Sequence, residues 1–142
     1  MSDDGAPPPG RVMGIDYGAR HVGIALTDPE RIIASPLRTL SVSGPDDALK
    51  QIATLAKDHD VVEFVVGLPK SLSGDEGPMA LEVRTWAREL ELSTSLRVHL
   101  VDERLTSREI ERMGGSQRNR KKKRNDHLVA SLILQHYLER ER

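Results

Sequence analysis

The chain contains no cysteine. That absence excludes disulfides, thiol catalysis and Cys-ligated zinc or iron–sulfur sites. Phe, Trp and Tyr together make up only 3% of the residues, too little aromatic surface for base stacking to be a main mode of recognition. No apolar run approaches the roughly 18 residues that a membrane helix needs. The five histidines show neither HxH nor HExxH spacing, so a bound metal is expected to be a hard ion held by carboxylates. The opening MSDDGAPPPG lacks both a basic start and an apolar stretch. No secretory signal is therefore expected, and the expected location is cytoplasmic. The sequence shows no internal repeat.

What is present suits one globular domain of 142 residues, with 30% charged and 37% apolar residues. The net charge of −1 hides an uneven distribution. Arg118–Arg124 (RNRKKKR) holds six basic residues in seven, and the remaining residues carry −7. An acidic body with one concentrated basic segment suggests contact with a polyanion at one place. A solvated loop without a partner is the plain alternative.

Residues 1–10, with PPP between glycine and acids, are expected to form a disordered tail, and 11–142 a single domain. Val12–Tyr17, His21–Thr27 and Arg31–Leu40 read as three strands, and the short gaps between them predict antiparallel hairpins. Pro36 suits an edge strand or a bulge. Apolar spacing then becomes helical over Asp46–His59. Val61–Val66 (VVEFVV) reads as a strand covered on both faces. Lys70–Gly77 is a polar loop, and Pro78 opens a helix with Met79, Val83, Trp86, Ala87 and Leu90 on one face. Arg97–Val101 is a fifth strand, Thr106–Met113 a short helix and Asp126–Arg140 the last helix. This order predicts an α/β fold: a mixed five-stranded sheet with its first three strands antiparallel and helices on both faces. Right-handed crossovers set strands four and five parallel to strand one. A three-layer α/β/α fold of the ribonuclease H kind fits.

Four acids fall where such a sheet has its cleft. Asp16 closes the first strand, Asp102 and Glu103 close the fifth, and Asp126 opens the last helix. Val129, Ala130 and Ile133 follow Asp126 at helical spacing, so Asp126 shares the packing face. Acids gathered there repel one another unless a cation lies between them. Two divalent ions, Mg²⁺ or Mn²⁺, would relieve the repulsion, activate a water and stabilise a leaving oxygen in phosphodiester cleavage. Plainer readings exist. Asp126 or Asn125 suits a helix cap, and Asp102 suits a turn. Asp28 and Glu30 read as an ordinary turn, Trp86 as core and His127 as surface. The hairpin DYGARHVG also resembles the phosphate-binding hairpin of actin-like and sugar-kinase ATPases, which need two such domains and a longer chain.

With GIDYGARHVGIALTD, VVGLP, VDERLTS and DHLVASLILQHYL in order, residues Arg11 to Leu138 resemble the YqgF/RuvX family. That family is described as Holliday junction resolvases and as nucleases of the precursor of 16S ribosomal RNA. The resemblance implies a ribonuclease H-like fold related to the RuvC resolvases. It also implies a hydrolase whose metal-holding, catalytic acids are Asp16, Glu103 and Asp126. Glu103 is preferred over Asp102 because the RuvC-like pattern has a Glu there. Arg104, Thr106 and Ser107 would position backbone phosphates. Arg118, Arg120, Lys121, Lys122, Lys123 and Arg124 would add affinity without sequence preference. The implied partner is branched DNA or structured RNA, with a homodimer if a symmetric junction is cut, and no membrane. A non-catalytic factor acting in transcription or ribosomal RNA processing is the competing function.

Overall fold

The structure, a computed structural model, describes residues 10–70, 73–102 and 126–141. Five strands form one sheet: β1 (Arg11–Asp16), β2 (His21–Thr27), β3 (Ala34–Ser41), β4 (Val61–Leu68) and β5 (Arg97–Asp102). Three helices are described, α1 (Pro45–Asp58), α2 (Pro78–Thr94) and α3 (Asp126–Glu141). The strand order is β3-β2-β1-β4-β5. β1 pairs antiparallel with β2, and β2 with β3, as the short gaps predict. β1, β4 and β5 run parallel, as right-handed crossovers require. Pro36 sits on the edge strand at a register shift, where its missing N–H costs no central ladder bond.

Alternation along the strands divides the core into two layers. Met13, Ile15, Ile24, Phe64 and Val66 face α1 and α2, which bury Ile52, Leu55, Val83, Trp86 and Leu90 against them. Val12, Ala25, Val65 and Val101 face the other way, under Val129, Ala130, Ile133 and Leu134 of α3. β4 is thus covered on both faces, which explains its nearly unbroken apolar run. The indole N–H of Trp86 donates to the Pro45 carbonyl at 3.2 Å, joining the two helices of one layer.

Two sequence expectations shift. Residues 31–33, expected in the third strand, form a turn instead: Arg31 has φ 61°, and the Asp28 carboxylate accepts the N–H groups of Ile32 and Ile33 at 2.9 and 2.7 Å. Met79, expected on the packed face of its helix, is 44% exposed. Ala80 takes the inward place in that first turn, and Met79, one position round the helix, is turned outward.

α3 lies unusually close to the sheet because two strand positions beneath it lack side chains. A Cβ on Gly14 would stand 2.8 Å from the Ala130 carbonyl oxygen and 2.9 Å from the Leu134 Cβ. A Cβ on Gly23 would run into the carbonyl of Asp126.

Candidate active site

Asp16 is the last residue of β1 and is only 4% exposed. Its neighbours Ile15 and Tyr17 face the α1–α2 layer, so Asp16 faces α3. Asp16 pairs with Gly23, and Gly23 pairs with Thr39. One step beyond the Ile15–Val66 pair, the register sets Gly67 beside Asp16, and Gly67 pairs with Val101. Read across the α3 face, this row runs Thr39, Gly23, Asp16, Gly67, Val101. The buried carboxylate therefore has a residue without a side chain on each side, a notch in the side-chain row at the carboxyl end of the parallel strands.

The start of α3 covers one flank of that notch. The Asp126 carbonyl packs on Gly23, and the Asp126 Cβ lies 2.8 Å from where a Gly23 Cβ would be. Asp126 is half-buried. Its neighbour His127 is also half-buried and shares a hydrogen bond of 2.8 Å between Nδ1 and the Thr39 Oγ1. Thus Asp126 packs on Gly23, the cross-strand partner of Asp16, and the two acids, separated by most of the chain, come to the same end of one face. Both offer carboxylate oxygens, a donor set suited to Mg²⁺ or Mn²⁺. Among the described residues, no three His, Asp or Glu side chains gather closely enough to hold a metal.

Asp102 pairs with Leu68 and alternates with Val101, which faces α3. It shares its side of β5 with Val98 and Leu100, against the α1–α2 layer and opposite to Asp16. Glu103, Arg104, Thr106, Ser107, Arg118, Arg120, Lys121, Lys122, Lys123 and Arg124 lie outside the described residues, as does the short helix expected over 106–113.

Two polar arrangements escaped the sequence reading. Tyr17, next to Asp16 but on the other face, stacks on Trp86 with ring centroids 4.5 Å apart. Burial pushes its phenol up, and the charge and hydrogen bond of Glu82 push it further. At the far end of the sheet Glu63 receives Arg31 at 3.6 Å and His99 at 3.2 Å, with the Tyr137 hydroxyl at 3.5 Å. The one available signal was a carboxylate inside VVEFVV, which needs partners to be buried. Among the described residues no helix is long and apolar enough to cross a membrane.

A mixed sheet of this order, helices on both faces and an acid closing its central strand define the ribonuclease H-like class. The model of the RuvX family, described as Holliday junction resolvase, matches residues 10–140, and the chain belongs to that family. It is accordingly a nuclease, a hydrolase of phosphodiester bonds. A protein of Roseiflexus sp. (strain RS-1) is 42% identical over 137 residues, covering 94% of this chain and 97% of that protein. One of Endomicrobium trichonymphae is 45% identical over 134 residues, covering 91% and 95%. Both bear the name "Putative pre-16S rRNA nuclease". Among solved structures, T. thermophilus RuvC in complex with a Holliday junction substrate has a TM-score of 0.61 at 15% identity, covering 93% of this chain and 95% of that one. The fowlpox virus Holliday junction resolvase gives 0.53 at 11% identity, covering 93% and 99%. At these identities the likeness is one of fold.

Proposed function

We propose that this chain is a divalent-metal-dependent endonuclease that cuts structured nucleic acid in the cytoplasm, with the precursor of 16S ribosomal RNA as its substrate. The metal reading is supported by buried Asp16 at the end of β1 and Asp126 packed on its cross-strand partner Gly23, on one face of the sheet. The substrate reading is supported by the names of relatives that match nearly the whole chain. Branched DNA is the second reading, favoured by the family's own description. With a symmetric junction as substrate the active form would be a homodimer, since two strands are cut.

Glu103 completes the proposed set. Asp102 stands on the face opposite Asp16, which leaves Glu103, outside the described residues, as the proposed third acid. Asp16, Glu103 and Asp126 would hold the divalent metal through their carboxylate oxygens. When bound, Mg²⁺ or Mn²⁺ would supply an activated water and stabilise the departing oxygen. The chain's own part is to supply these carboxylates, with Asp16 held at the end of β1 and Asp126 at the start of α3. Arg104, Thr106 and Ser107 would orient the backbone, and the basic run would add salt-sensitive affinity.

The test is cleavage of a 16S precursor transcript and of a four-way DNA junction, each with Mg²⁺, with Mn²⁺ and with chelator. The expected result is metal-dependent cutting of the RNA precursor. Tight binding of both substrates without cutting, whatever the metal, would make the chain a non-catalytic factor. Cutting of the junction alone would transfer the activity to DNA.

A further inference from the structure

We propose that Thr39 and His127 are positioning residues that fix the first turn of α3, and through it Asp126, relative to Asp16. The proposal rests on the metal-nuclease reading above and adds a part of the machinery that touches neither metal nor substrate.

The geometry begins with the row Thr39, Gly23, Asp16. Adjacent strands lie about 4.8 Å apart, so Thr39 and Asp16 are roughly 10 Å apart on the sheet with Gly23 between them. Asp126 stands over that middle position, with its carbonyl on Gly23. From there His127 reaches away from Asp16, to the hydroxyl of Thr39. The tie is thus on the flank of Asp126 remote from the notch.

A helix start needs such a tie. The first N–H groups of a helix have no intrahelical partner, and terminal turns fray. Apolar contact holds the middle of α3, where Val129, Ala130, Ile133 and Leu134 are buried. Asp126 precedes that stripe by three positions. Apolar contact is non-directional and limits its swing weakly. The Gly23 contact sets the height of Asp126 above the sheet, and a hydrogen bond spanning 88 residues of sequence sets its lateral place. Magnesium demands near-ideal octahedral geometry. A carboxylate that can swing is a poor ligand for it, as sites lacking their supporting contacts show by losing metal affinity.

Four variants separate this role from a structural one. Thr39→Val keeps volume, β-branching and strand preference but loses the hydroxyl, and His127→Leu removes the partner. Thr39→Ser keeps the hydroxyl, and His127→Asn keeps a polar atom near the place of Nδ1. The first readout is Mn²⁺ binding to the protein without nucleic acid, followed by paramagnetic resonance. Thr39→Val and His127→Leu should weaken it about tenfold to a hundredfold, while Thr39→Ser and His127→Asn retain most of the affinity. The second readout is cleavage, where kcat should fall in the first pair while the KM for nucleic acid holds. If Thr39→Val binds Mn²⁺ as the parent chain does, with unchanged kcat, the positioning role is overturned while the nuclease reading stands. If the parent chain itself binds no Mn²⁺, or binds it as well with Asp16→Asn, the metal reading fails and takes the positioning role with it.

Discussion

Asp16 is a carboxylate at the end of a strand that is otherwise apolar, and its neighbours across the sheet are glycines. Asp16→Asn removes a charge and almost no volume, so the fold should persist while cleavage is lost. Circular dichroism and a precursor cleavage assay on the same preparation check both halves. Glu103→Gln should be equally inactive and Asp102→Asn active, because Asp102 lies against the α1–α2 layer. An inactive Asp102→Asn beside an active Glu103→Gln would reverse that assignment. The burial of Asp16 at a strand end was legible in the sequence, since an acid closing VMGID has no cheap apolar explanation. The hydrogen bond between Thr39 and His127 was not. They are 88 positions apart, and only the packing of α3 across β3 brings them together.

At the scale of elements, the hairpins and the parallel crossovers followed from gap lengths and from the change of hydrophobic period. Met79 and residues 31–33 did not, because they sit at element ends, where the deciding interactions are single hydrogen bonds and the edge of the packed layer. One such end offers a pH test. The Asp47 carboxyl lies below its ordinary range because the Ser43 N–H, then the Gln51 amide, donate to its charged form. These bonds are lost on unfolding, so the carboxyl returns to its ordinary value of 3.8. The stabilisation is therefore complete above that value and disappears as pH falls through the lowered one. Asp47→Asn should unfold at lower urea than the parent chain at neutral pH, and the difference should close in acid. The close seating of α3 gives a second test. Gly14→Ala forces a methyl against the Ala130 carbonyl. The cost should be about 1–3 kcal/mol, as for other overpacked cores, read as a lower urea midpoint at unchanged slope.

Across the whole molecule, charge is segregated: an acidic body and one basic run immediately before α3. Each phosphate neutralised on duplex DNA contributes about −0.9 to the slope of log affinity against log salt, so three contacts would contribute near −3. Replacing Lys121, Lys122 and Lys123 with Ala should flatten the slope and weaken binding alike for all sequences. Cleavage at saturating substrate should survive better than binding. Unchanged affinity and slope would reduce the run to a tether. The seating of the last helix on the first two strands has a further consequence, for the order of events in synthesis. Asp16 leaves the ribosome some hundred residues ahead of Asp126. Until α3 arrives, Val12, Ala25, Val65 and Val101 lack their cover, and the two acids cannot come to the same end of one face. On the proposed reading, a chain synthesised only as far as β5 carries no cutting site and acquires one only when α3 closes over the sheet.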